Sequence, residues 1–242
     1  MKHSPLSLLA AVLVTLGGWT ASLHGAVLVS YTFSSGNGNP TLSGEDFSAL
    51  AAAWAGFPSG TGGSGFSSGT QSAYVSSQSL SDSFEADEYL TLTLQADPGK
   101  LLDLASITIE FGGSVVSTST TTQNNALQVR TSLDGFGSSL AFSPGSSTEA
   151  LLSVPSIEGV SNTQYDFFTI DLSGLAPAET ITFHLHVYSP PPRSGSNFLR
   201  IGSVVLDGQI VAIPESSSVA FAAIGALTLF GFARRFRCAR RS

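Results

Sequence analysis

Residues 27–33, VLVSYTF, alternate Val27, Val29, Tyr31 and Phe33 against Leu28, Ser30 and Thr32. A period of two puts one set on each face of a β-strand. The same signal returns from residue 88 onward. EYLTLTLQA runs into Asp97-Pro98-Gly99, a turn signal. LASITIEFGG places Ile107, Ile109 and Phe111 on one face and Ser106, Thr108 and Glu110 on the other. ALQVRTSLDGFG turns Leu127 and Val129 inward before an Asp134-Gly135 turn. YDFFTIDLSGL, ETITFHLHVYS and FLRIGSVVLDGQIVA complete the series. Prolines gather in loops such as SPPPR, residues 189–193, and no amphipathic helix interrupts this half. Many short strands with turn signals between them predict an all-β, antiparallel sandwich of the jelly-roll kind.

Residues 34–87 are harder to read. They form a Gly/Ser-rich tract broken by DFSALAAAWAGF, which reads as a short helix or as a plug carrying Trp54. A structureless loop this long is unusual within a compact domain. Covering segments and one or two irregular strands near residues 72–75 are therefore expected.

Both ends depart from the pattern. At the start, Lys2 precedes an apolar stretch from Leu6 to about Trp19, followed by small residues near Gly25 and Ala26. That is the layout of a Sec signal peptide with its helical apolar core, too short for an ordinary membrane span. At the other end, residues 219–233 are apolar or near-neutral, and Arg234, Arg235, Arg237, Arg240 and Arg241 follow at once. This predicts one transmembrane helix with the arginines on the cytoplasmic side and everything upstream outside. The division is a signal peptide at 1–26, a β-sandwich at 27–212 and a C-terminal signal at 213–242.

The tripartite end, Pro214-Glu215, a short apolar helix and a basic cluster, resembles the PEP-CTERM sorting signal of diderm bacteria. The resemblance implies that an exosortase cuts near Pro214 and Glu215 while Arg234, Arg235 and Arg237 hold the tail in the inner membrane. The body would then be released to the cell surface or extracellular polysaccharide. Ser216 stands where a second proline is commonest. The body segments SYTF, YLTLTLQADPGKLLDLASITIEF, LQVRTSLDGFGSSL, TIDLSGL and FLRIGSVVLDGQI resemble exported PEP-CTERM proteins of verrucomicrobial and planctomycete type. That likeness implies a lectin-like jelly roll related to galactose- and carbohydrate-binding modules. Such proteins often carry Asp-Asn where this chain has Gly202-Ser203, which weakens any ligand role borrowed for that position.

Composition narrows the partners. The chain has 242 residues, 42% hydrophobic and 11% charged, enough for one sizeable core. Residues 27–213 hold four basic against sixteen acidic residues, a formal charge near −12 that repels phosphate backbones and argues against nucleic acid. The single cysteine, Cys238, rules out an internal disulfide.

Candidate chemistry is sparse. His184 and His186 share one face of a strand, and two such histidines can share a metal. With no other His and no Cys in the body, a solvated strand face is the reading taken. Glu110, Arg130, His184, His186 and Tyr188, with Arg200 beside them, are the candidate ligand face of one sheet, where a jelly roll would hold sugar. Tyr188 and Tyr74 are weak stacking platforms, and Trp54 reads as buried. Residues 81–89 gather Asp82, Glu85, Asp87 and Glu88. Such a loop can hold a structural Ca2+ or merely solubilise the surface; it lacks EF-hand spacing, and no cofactor is expected. There is no Gly-x-Ser-x-Gly elbow and no Gly-Lys-Ser/Thr phosphate loop. The expectation is a non-enzymatic surface or matrix protein whose partners are the Sec machinery, an exosortase and the inner membrane. The alternatives are a carbohydrate-binding module of the envelope or its polysaccharide, and a polysaccharide-active enzyme.

Overall fold

The computed structural model describes residues 26–213 apart from 61 and 193–195. The signal peptide up to Gly25, the sorting residues Pro214, Glu215, Arg234, Arg235 and Arg237, and the expected transmembrane helix lie outside the described residues. Among the described residues no helix is long and apolar enough to cross a membrane.

The chain runs through β1 (Ala26–Tyr31), β2 (Leu42–Ser43), β3 (Phe47–Ala49), β4 (Ala53–Ala55), β5 (Ser64–Ser67), β6 (Ser72–Ser76) and β7 (Tyr89–Ala96). It continues through β8 (Lys100–Val115), β9 (Gln123–Thr131), β10 (Phe142–Ser143), β11 (Ala150–Val154), β12 (Asn162–Asp171), β13 (Thr180–Tyr188) and β14 (Phe198–Ala212). All strand pairing between these elements is antiparallel and builds two sheets. The first, of eight strands, runs β10-β12-β8-β14-β1-β2, with β6 also on β14 and β5 on β6. The second, of six, runs β11-β9-β13-β7-β3, with β4 also on β7. The long strands alternate between sheets: β7 lies in the second, β8 in the first, β9 in the second, and β12, β13 and β14 continue the exchange.

The two inner faces make one core. Leu90, Leu92 and Leu94 from β7 and Phe183 and Leu185 from β13 are fully buried. They share a cluster with Ile107, Ile109 and Phe111 from β8 and Leu199, Ile201, Val204 and Leu206 from β14. Each fully buried aliphatic side chain contributes about 1.5–3 kcal/mol, and the fold depends on this sum because no disulfide is available. The outer faces carry polar ladders instead, such as Thr93 against Thr182 and Thr108 against Thr169, both at 3.0 Å.

The Gly/Ser tract supplies short edge strands. The expected helix in residues 46–57 is absent: that segment forms β3 and β4, which share one edge of β7. Trp54 is a plug, half-buried, donating its Nε1–H to Gly65 O at 3.1 Å and meeting Phe57 edge-on at 5.5 Å. Asp97-Pro98-Gly99 is the turn into β8, with Gly99 in the left-handed region at φ 82. Asp134-Gly135 does not make a tight hairpin. Ser132–Asp134 form a short 3-10 helix capped by Thr131, and Gly135 ends it at φ 69.

Candidate functional site

The second sheet carries most of the candidate ligand face. His184 pairs in register with Arg130 of β9 and Thr91 of β7; His186 pairs with Gln128 and Tyr89. All six point away from the core, as the alternation requires. They are covered to different degrees: His186 is buried and the others are half-buried. The His184 ring is stacked between Tyr89 at 3.7 Å and Phe136 at 3.8 Å. Residues 81–88 lie over His186, whose residue exposure is 2%. Its Nδ1 lies 3.1 Å from Glu85 O, and the Phe84 ring sits 4.8 Å away. The solvated face expected for the histidine pair is therefore corrected at His186: the acidic loop folds across it, with Phe84 against the His186 ring and the Arg130 guanidinium.

Arg130 belongs to the same cover. Its guanidinium sits over Phe84 at 4.2 Å, and it donates from Nε to Ser139 Oγ at 3.3 Å and from Nη1 to Phe136 O at 3.1 Å. Tyr188 is 5% exposed; its hydroxyl donates to Glu149 and accepts from Gln128 Nε2 at 3.0 Å. Burial pulls His184 down to about 4, with His186 beside it adding to the shift. Burial likewise lowers His186, and burial with the Glu149 contact raises Tyr188 to about 12. Both imidazoles are thus neutral at pH 7. Two polar atoms at this covered face stay buried without a hydrogen bond. Glu88 Oε2 is one, although Ser81 Oγ donates to its other oxygen at 3.0 Å. His186 Nε2 is the second; it faces the Glu88 backbone without reaching hydrogen-bonding geometry. Among the described residues no group of three or more His, Cys, Asp or Glu is placed to hold a metal ion.

Glu110 is not part of this face. It lies on β8 in the opposite sheet, where Ser203 Oγ donates to its Oε2 at 3.1 Å. Grouping it with Arg130, His184, His186 and Tyr188 fails because alternation along a strand gives the face but not the sheet. Gly202 is explained here. The register of β14 against β8 shifts between Ile201 and Ser203, and a Cβ at Gly202 would come within 2.4 Å of Glu110 Oε2.

The first sheet keeps an open site. Where the β5–β6 hairpin lies on the head of β14, a cleft of about 490 Å³ opens between Ser35, Phe66, Ser67, Tyr74, Phe198 and Arg200. Tyr74 pairs with Gly65 on one side and Arg200 on the other. A Cβ at Gly65 would lie 2.8 Å from the Tyr74 hydroxyl, so glycine lets that ring lie across β5. Tyr74 and Phe198 meet edge-on at 5.8 Å, and Phe66 stacks on the buried Phe33 at 5.5 Å. Arg200 donates from Nε to Ser114 Oγ at 2.9 Å, and from Nη1 to Thr70 Oγ1 at 2.8 Å and Ser72 Oγ at 3.0 Å. Its charged carbon lies 5.2 Å from the Phe198 ring centre. The sequence offers Tyr74 as a weak stacking platform and sets Arg200 beside the histidine face, which is corrected here: Arg200 lies on β14 in the first sheet, and Phe66 and Phe198 are not singled out by the sequence. Phe198 was legible, since it shares a strand face with Arg200 two positions on.

No protein-family model and no curated protein matches the chain. Among solved structures, the K1 cleaved adhesin domain of Lys-gingipain from Porphyromonas gingivalis overlaps 76% of this chain and 99% of its own, at 12% identity and a TM-score of 0.32. The CBM35 module from Cellvibrio japonicus overlaps 68% of this chain and 97% of its own, at 13% identity and a TM-score of 0.25. Scores this low make neither of them a fold relative.

Proposed function

We propose that the chain is an exported, non-enzymatic protein of the cell surface or extracellular matrix, with a jelly-roll-like body sorted and cleaved by an exosortase through residues 213–242. The observation that supports this reading is where the last described strand ends. β14 finishes at Ala212, and the Ile213 N–H donates to Gly99 O at 3.0 Å. Pro214 follows and has no N–H to extend the pairing. Every described core residue lies upstream, so cutting at Pro214-Glu215 removes none of them. The test is a tagged chain lacking residues 214–242, expressed in the native host. Loss of surface location and of processing is expected; unchanged location and processing would overturn the sorting reading.

A second reading, a carbohydrate-binding module delivered by the same route, is favoured by that same cleft. Concave sites lined by aromatic rings with a few fixed polar groups are the usual form of small-ligand sites. A glycan array probed with the full chain and with Phe198→Ala tests it. Bound glycans whose signal drops in the variant support the reading, and an empty array ends it.

A further inference from the structure

We propose that the cleft at the head of β14 is a saccharide site in which the Arg200 guanidinium takes the carboxylate of a uronic acid residue. This rests on the carbohydrate-binding reading and narrows it to a class of sugar.

The charge of Arg200 is uncompensated. Its Nε and Nη1 hydrogens go to three hydroxyl oxygens, which are neutral. Among the described residues the ion pair is Lys100 with Asp46, and no carboxylate reaches Arg200. Nη2 makes no hydrogen bond to the described residues, and Arg200 lines the cleft. The side chain is thus held at one edge and open at the other. Its rotamer freedom is already spent in the free protein, so an anion arriving at Nη2 meets a pre-set donor. Guanidinium–carboxylate hydrogen bonds are among the stronger ones, and more so where burial has removed part of the water.

The rest of the lining fits a pyranose better than a simple anion. Phe66, Tyr74 and Phe198 offer apolar surface to ring C–H groups, and Phe66 and Tyr74 are held by Phe33 and Gly65. Ser67 Oγ accepts the Thr70 N–H at 3.3 Å and keeps its own hydrogen to donate to a sugar hydroxyl. A volume of about 490 Å³ is within the range of small-ligand clefts. The described lining offers one positive charge and no lysine, which suits a single carboxylate rather than a dianionic phosphate. The body charge near −12 adds a further choice, because it opposes densely charged polymers and favours a uronate set among neutral sugars.

The test is calorimetric titration of the detergent-solubilised full chain with trisaccharides of galacturonic and of glucuronic acid, each as free acid and as full methyl ester. N-acetylphenylalanine serves as a carboxylate lacking a sugar ring. The free acid of at least one sugar is expected to bind about tenfold or more tighter than its ester, since esterification removes a charge-assisted pair. That preference should shrink in about 0.5 M salt and vanish in Arg200→Gln, whereas Phe198→Ala should weaken acid and ester alike. Equal affinity for acid and ester in the unaltered chain overturns the carboxylate assignment while leaving the carbohydrate reading standing. N-acetylphenylalanine binding as tightly as the uronates overturns the sugar part. Absence of binding by every saccharide, charged or esterified, overturns both.

Discussion

Arg130 and Arg200 are near equivalents in sequence terms. Each lies on the outward face of a long strand, each approaches an aromatic ring, and neither has a carboxylate partner among the described residues. Their surroundings separate them. Residues 81–88 bring Phe84 over Arg130, and Phe136 with its carbonyl closes the other side. Among the described residues nothing comparable covers Arg200, whose neighbours Tyr74 and Phe198 stand at its flank and leave a cleft. The first arginine is a strut for the chain's own loop; the second remains available. A charged residue on a sandwich exterior takes its role from the loop that does or does not cross it.

The strongest way to break this contrast is to remove what both faces stand on. Phe183 is fully buried between the sheets, and Phe183→Ala should cost about 3–5 kcal/mol in urea unfolding. A loss below about 1 kcal/mol would mean that the faces do not share one core. Next comes the cover itself. Phe84→Ala should cost about 2 kcal/mol, from lost burial and the lost contact with Arg130, and Phe198→Ala clearly less. Equal losses would erase the distinction between a structural and a vacant face.

Acid sharpens the contrast further. A histidine whose folded pKa lies below its free value binds fewer protons folded than unfolded. Its contribution is therefore intact above pH 6.5 and is lost as pH falls toward about 4, the folded value for His184. Between those limits the chain should lose about 1 kcal/mol more than His184→Gln, a discounted figure because solvent screens the partly covered ring. Parallel pH curves for the two proteins would remove the stacked neutral imidazole from the account. The smallest effect belongs to the cleft rim. Ser67→Ala should leave stability within about 0.5 kcal/mol while weakening saccharide binding, the reverse of the Phe84 result.

These differences mark how far the sequence could be read. Period-two alternation is local, so Leu90, Leu92 and Leu94, or Ile107, Ile109 and Phe111, announce their buried face. Sheet membership is not local. Glu110 and Arg130 both read as outward polar positions, and only pairing across the whole chain sends one to β8 and the other to β9. The Ala-rich run around Trp54 has helical propensity, but an open edge of β7 and a partner for the indole N–H drew it into strand. His186 was legible as outward and illegible as covered, since its burial depends on Phe84, far away in a tract that shows no periodicity. The cleft was half-legible for the same reason. Phe198 and Arg200 share a face by spacing alone, and Tyr74 lies in the strand expected near residues 72–75, whereas Phe66 arrives on a partner strand hidden among glycines and serines.

The neighbouring positions of β1 and β14 carry a geometrical consequence. Ala26 pairs with Gly208, and β14 runs on only to Ala212, so both chain ends leave the body at one pole. Arg200 lies twelve residues back along that strand, roughly 40 Å away at about 3.3 Å per residue. Ser35, which follows β1 beyond its far end, borders the same cleft. On the proposed delivery route, a body suspended by its C-terminal lipid-embedded segment would present its vacant arginine outward, at the pole farthest from the bilayer.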